Sequence, residues 1–302
     1  MNSKILKSGH IKLYKRENSK FWQMKIKLPK LKAIRSSTGS KILRDAESIA
    51  LKYYNSISSK TKLSINRTSN IFKKIHLVET ADLTKKEILY ILNESKKYIS
   101  FNKRKIKKIN ILEGRTIFNL FFEDSTRTRT SFEVAAKRLG ADLINVVVKD
   151  SSINKGETLL DTMTTINSMN PDVLIVRHPE EGISKRISET VDASVINAGD
   201  GSHEHPTQAL LDALTIKNKF NNFSKLKIAI CGDILHSRVA RSNIIILSKL
   251  GAKINVIGPK EWLPKNINKL PVNVFTDMRK GLKNCDIVMM LRIQKERIVG
   301  KI

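Results

Sequence analysis

The sequence predicts an α/β protein: two doubly wound parallel-sheet domains, the second incomplete, preceded by a small basic β-β-β-α module. Three observations carry this. From residue 81 onward, short apolar runs alternate with amphipathic stretches of helical period, the order that builds parallel sheets with helices on both faces. The pattern breaks at Asn221-Asn222-Phe223-Ser224, and a second series follows. The first 70 residues instead alternate at the period of a strand and hold 17 Lys+Arg against 3 Asp+Glu, whereas the 302-residue chain has 56 against 28, net +28. A 40% apolar content excludes wholesale disorder. The longest aliphatic runs, such as Ile244 to Leu247, fall far short of the ~18 residues that cross a bilayer, which excludes a membrane-spanning helix. Cys231 and Cys285 are too few for a disulfide framework and are not spaced for zinc, and residues 1–16 lack an apolar signal core. A cytoplasmic protein is expected.

In the first module, Ile11 and Leu13 alternate with Lys12 and Tyr14, and Trp22, Met24, Ile26 and Leu28 alternate with Gln23, Lys25 and Lys27. Apolar side chains thus share one sheet face and lysines the other. A third extended stretch, 33–37, leads into a helix whose stripe is Ala46, Ile49, Ala50, Tyr53, Tyr54 and Ile57. The polar residues 58–70 read as a linker; the module is assigned to 1–64 and the linker to 65–71. Beyond it, Asp82 is placed as the cap of a helix over 83–98. Strands are expected at 116–122, 142–148, 172–177 and 194–197, with helices at 126–139, 157–169, 181–191 and 206–220. The second series has strands at 227–231, 252–257, 272–275 and 287–291 and a helix at 237–250. The domains divide at 222/223.

Ligands of such sheets lie beyond the carboxyl ends of the strands, and the chemistry-bearing motifs sit there. Ser125-Thr126-Arg127-Thr128-Arg129 opens the helix after the first strand. Free N–H groups and the helix dipole favour an anion at that turn, and hydroxyls and a guanidinium add donors. A plain serine N-cap would explain Ser125 but not two arginines set against the dipole. His205 and Gln208 open another helix three residues apart and share a face. His203 and His205 have no third metal ligand nearby, so no metal is expected. No dinucleotide fingerprint or triphosphate loop is present, so no cofactor is expected.

Two resemblances follow from these residues. Gly9 to Arg16, Phe21-Trp22-Gln23 and Ser37-Thr38-Gly39 resemble the arm-type DNA-binding domain of phage tyrosine integrases, which implies DNA contact through residues 1–64. From about residue 72, Ser125 to Arg129, Val176-Arg177-His178-Pro179, His205-Pro206-Thr207-Gln208, Gly232 to Ser242 and Leu291 to Arg297 resemble the catalytic chains of the aspartate carbamoyltransferase family. The ornithine-specific carbamoyltransferases share the Ser-Thr-Arg-Thr-Arg turn but typically carry Cys at the position of Thr207 and lack the Arg-x-Gln-Lys-Glu-Arg run. The resemblance implies transfer of a carbamoyl group from carbamoyl phosphate to L-aspartate. It places carbamoyl phosphate on Ser125, Thr126, Arg127, Thr128, Arg177, His205 and Gln208, with Arg127, Thr128, Arg177 and His205 catalytic. Aspartate would meet Arg238, Arg292, Gln294 and Lys155. Lys155, with Ser151 or Ser152, would reach in from a neighbouring subunit of a homotrimer.

Two departures bear on activity. Asp124 stands where the family has Pro or Ala before the anion-binding turn. The family also continues with a His-Pro-Ala-Pro loop, further strands and a last helix, so the aspartate domain over 223–302 is expected to be partial, to expose apolar faces and to be impaired. The alternative is a non-catalytic DNA-binding module fused to a partial carbamoyltransferase.

Overall fold

The structure is a computed structural model that describes residues 3–6, 10–27, 33–66 (side chains to 54), 74–147 and 158–293. It divides into two compact units, Met1–Asn70 and Ile71–Ile302.

In the first unit, strands β1 (Ser3–Leu6), β2 (Ile11–Tyr14), β3 (Gln23–Ile26) and β4 (Ile34–Ser37) form an antiparallel sheet in sequential order, covered on one face by helix α1 (Leu43–Asn66). Ile11, Leu13, Trp22, Met24 and Ile26 pack on Ala46 and Ala50, as the alternation predicts. Three features differ from expectation. The sheet has a fourth strand, β1, an exposed edge with no buried apolar alternation to mark it in the sequence. The helix continues to Asn66 through residues expected as linker, since Ser, Lys and Thr without Gly or Pro do not stop a helix. Ile49 and Tyr53 are exposed, so among the described side chains the stripe facing the sheet is Leu43, Ala46, Ala50, Leu51 and Tyr54; the side chain of Ile57 lies outside them.

The second unit holds two four-stranded parallel sheets. Strands β5 (Thr116–Phe121), β6 (Asp142–Val147), β7 (Val173–His178) and β8 (Ser194–Asp200) are ordered β6-β5-β7-β8. Strands β9 (Lys227–Cys231), β10 (Lys253–Ile257), β11 (Val272–Phe275) and β12 (Ile287–Met290) are ordered β11-β10-β9-β12. The helices are α2 (Lys85–Ile99), α3 (Thr126–Leu139), α4 (Leu159–Asn167), α5 (Ile183–Ser188), α6 (Pro206–Lys219), α7 (Arg238–Leu250) and α8 (Met278–Leu282). None of the described helices is long and apolar enough to cross a membrane.

Winding on both faces shows in β5. Phe118 and Leu120 point to Met163 of α4 and to Ile183 and Ile187 of α5, while Ile117 and Phe121 point to Ala136 of α3. A third core joins α2 and α6 to β9, β10 and α7, through Ile88, Leu92, Ala213, Ile228, Ile244 and Val256. Helix α2 is capped by Thr84 rather than Asp82: Thr84 and Glu87 form a reciprocal capping box, with the Thr84 N–H donating to Glu87 at 2.8 Å. Strand β12 is an edge of its sheet, and its outward residues Val288 and Met290 are exposed.

Leu120 is fully buried at the centre of the first sheet. Leu120→Ala is expected to destabilise the chain by about 2–5 kcal/mol, read as a lowered urea midpoint, while Val134→Ala on the exposed face of α3 stays within about 0.5 kcal/mol.

Candidate active site

The carboxyl ends of strands from both sheets open on one cleft of about 910 Å³. The chain after β5 supplies Glu123, Asp124, Ser125, Arg127 and Thr128; β7 supplies Arg177, its last residue but one; the loop after β8 leads to His205 and Gln208. From the second sheet, β9 leads to Ser237 and Arg238, and β12 to Leu291 and Arg292. Helices α2, α4 and α7 begin with a hydroxyl side chain bonded to their first-turn N–H groups. Helices α3 and α6 start at the cleft with no such side-chain bond. The first N–H groups of α3 have no intrahelical partner, so its terminus favours an anion, whereas α6 opens on Pro206, which has no N–H, and the Gln208 N–H donates to the His205 carbonyl at 3.1 Å.

Four arginines line this cleft, and one carboxylate pairs with two of them. Glu123 forms an ion pair with Arg177 Nη2 at 2.6 Å and accepts a hydrogen bond from Arg238 Nη2. Arg177 Nη1 donates to the Ala198 carbonyl at 3.0 Å. Gly199, at φ +114°, is what allows this: a Cβ there would lie 2.9 Å from Arg177 Nη1 and 3.1 Å from Arg238 Cζ. Arg238 Nη1 is buried without a hydrogen-bond partner, a donor that a ligand would satisfy.

His205 is buried beside them. Burial, then the charges of Arg177 and Arg238, push its imidazole down to about 3, so it is neutral near pH 7. Its main-chain N–H donates to Ser242 Oγ of α7 at 2.9 Å. The Ser242 hydroxyl donates to the buried Glu204, which also accepts from Thr80 Oγ1 at 2.8 Å. Burial holds the Glu204 carboxyl above its usual range. On the same loop, His203 bonds Asp200 at 3.3 Å, and that hydrogen bond raises the imidazole.

Known proteins can be compared on this geometry. Residues 75–218 match the family model "Aspartate/ornithine carbamoyltransferase, carbamoyl-P binding domain". The aspartate carbamoyltransferase catalytic subunit of Pelagibacter ubique is 54% identical over 236 residues, covering 78% of this chain and 75% of that one. The chain belongs to the aspartate carbamoyltransferase catalytic-subunit family. Two solved members share its fold. The enzyme of Trypanosoma cruzi, in complex with carbamoyl aspartate and phosphate, has TM-score 0.66 at 32% identity and covers 74% of this chain and 76% of its own. The catalytic subunit from M. Jannaschii has TM-score 0.65 at 38% identity with the same coverage.

In this carbamoyltransferase chain, Ser125, Arg127, Thr128, Arg177, His205, Gln208, Arg238 and Arg292 come together in the one cleft, as does Asp124. The side chain of Thr126 lies instead on a shallow groove with Thr130, Ser131 and Val134, because successive residues of a helical turn point about 100° apart. Ser151, Ser152, Lys155 and Gln294 lie outside the described residues. Sequence reasoning passed over Glu123, Gly199, Ser237 and Ser242. Gly199, in Asn-Ala-Gly-Asp-Gly, carried a signal as a glycine at a strand end, but its neighbours are arginines from β7 and from the start of α7.

His205 supplies a test. Its ring resonances, assigned by loss in a His205→Gln variant, are expected not to titrate between pH 5 and 8. An unfolded chain takes up a proton near 6.5 that the folded one refuses until about 3. This site therefore removes stability as pH falls from about 6.5 toward 3, by up to about 1.4 kcal/mol per pH unit. A His205 titration near 6.5 would contradict the buried, neutral assignment.

Proposed function

We propose that this chain transfers the carbamoyl group of carbamoyl phosphate to the amine of L-aspartate, giving N-carbamoyl-L-aspartate and phosphate. The observation that carries this is the convergence in one cleft of an uncapped helix terminus with guanidiniums from both sheets. Ser125, Arg127 and Thr128, with the main-chain N–H of Thr126, hold the phosphate. Arg177, Thr128 and a neutral His205 donate to the carbonyl oxygen as it gains negative charge. Gln208 faces the carbamoyl nitrogen. Arg238 and Arg292 take the two carboxylates of aspartate, joined by Gln294 and, from a neighbouring subunit of a homotrimer, by Lys155.

The amine lone pair forms the new C–N bond while the C–O bond to phosphate breaks. The phosphate leaves with that electron pair and can carry off the amine proton. Rate then comes from holding both reactants in line and from fixed donors, not from a covalent intermediate. Supporting the acceptor assignment, structures of the Trypanosoma cruzi relative hold carbamoyl phosphate with aspartate, and N-(phosphonacetyl)-L-aspartic acid. The test is carbamoyl-aspartate formation by the 302-residue chain at saturating substrates, with Arg127→Ala as the reference. A loss of at least about 100-fold in the variant is expected, with no product when ornithine replaces aspartate. Wild-type turnover no higher than the variant's would contradict the proposal.

A second reading concerns the first unit. Lys12, Lys25 and Arg35 are direct cross-strand neighbours in one row, on the sheet face opposite α1. No ion pair joins them to an acid among the described residues. Like charges in register are unfavourable unless a polyanion lies across them, and a sheet face of this kind fits a DNA groove. Duplex DNA is expected to bind with a log–log salt slope near −0.9 for each phosphate neutralised, about −3 for the row. Replacing all three cations by Ala should flatten that slope, and no binding at low salt would sink the reading.

A further inference from the structure

Asp212 lies on α6 one turn beyond Gln208, and the chemistry above gives it no task. One of its oxygens accepts from Gln208 Nε2 at 2.9 Å, the other from Asn243 Nδ2 of α7 at 2.7 Å. Asn243 is fully buried and also donates to the Val239 carbonyl at 3.1 Å, which fixes the direction of its own amide. Burial pushes the Asp212 carboxyl up, and the hydrogen bonds from Asn243 and Gln208 oppose that. Both of its oxygens accept from amides, the arrangement of an ionised carboxylate.

A primary amide presents an acceptor and a donor of nearly equal shape, exchanged by a half turn. A glutamine at the mouth of a site can therefore offer either group. Behind Gln208 stands a group that only accepts, so the NH₂ must turn back to Asp212. Its Oε1 makes no hydrogen bond within the described chain, and Gln208 lines the cleft. We propose that Asp212 is a positioning residue that sets substrate specificity: it locks the Gln208 amide with its oxygen toward the bound acyl phosphate, so that the site selects an acyl group bearing NH₂ over one bearing methyl. Asn243, by holding the second oxygen, ties this selection to the helix that also supplies Arg238. The inference rests on the reading above that Gln208 faces the carbamoyl nitrogen.

Calorimetric titration of the full chain with carbamoyl phosphate and with acetyl phosphate tests it without requiring turnover. The two ligands share a phosphate and a carbonyl and differ by NH₂ against CH₃. In Asp212→Asn, Asn243 still donates, so the introduced amide must turn its oxygen to Asn243 and its NH₂ to Gln208. Gln208 then reverses and meets the carbamoyl NH₂ with a second donor. The ratio of the two Kd values is expected to fall roughly tenfold or more, through weaker carbamoyl phosphate binding, with acetyl phosphate changed less than about twofold. The double variant Asp212→Asn with Asn243→Asp puts an acceptor behind the introduced amide, returns Gln208 to its original direction, and should restore the ratio. Should the single variant not fold, the exchange carries the test alone: a wild-type ratio supports the proposal and a lost ratio overturns it. Equal weakening of both ligands in the single variant, the mark of a merely structural role, also overturns it. A wild-type chain that binds the two ligands equally would overturn the reading of Gln208 itself, before Asp212 is touched.

Discussion

The site depends on one carboxylate placed among cations. Arg127, Arg177, Arg238 and Arg292 line a single cleft, and like charges gathered in a partly dry space repel one another. Glu123 offsets this for the two most buried, Arg177 and Arg238, by pairing with both. One of these arginines lies near the carboxyl end of a strand of the first sheet and the other begins a helix that packs on the second, so the pair also fixes how the two sheets meet. Gly199 gives the guanidiniums room to lie against the backbone. Charge remains after this pairing, together with the uncapped terminus of α3 and an unpartnered donor on Arg238. A phosphate and a dicarboxylate answer that remainder.

The same crowding explains the histidine. An imidazole out of water and within reach of the charges of two guanidiniums holds a proton poorly, so His205 is neutral near pH 7. Its main chain is anchored through Ser242 to Glu204 and Thr80, and the Gln208 amide beside it to Asp212 and Asn243. In both relays a carboxylate that only accepts decides the direction of groups that can face either way. Fixed donors of this kind need little rearrangement as charge develops on a substrate.

Much of this was legible in the sequence because the signals were local. The buried strands of the second unit read as apolar runs, and α3 begins and ends at the residues its pattern marks, 126 and 139. The anion-binding turn shows itself by hydroxyls and arginines at a helix start. What stayed hidden depends on partners distant in the chain or on exposure. Strand β1 is an exposed edge, α1 overruns a polar stretch that lacks a breaker, and Thr84 outcompetes Asp82 because Glu87 completes its capping box. Glu123 reads as an ordinary acid until Arg177 and Arg238, 54 and 115 residues away, are brought beside it. Gly199, Asp212 and Ser242 likewise gain meaning only from contacts across strands and helices.

Cations from both sheets line one cleft, and calorimetric titration with N-(phosphonacetyl)-L-aspartate, which joins a phosphonate to the aspartate skeleton, tests whether they act as one binding site. If both halves of the cleft engage together, the joined molecule binds at one site per chain at least about 100-fold more tightly than inorganic phosphate. Binding no tighter than phosphate would contradict this, because the arginines of the second sheet would then not act with the anion-binding turn.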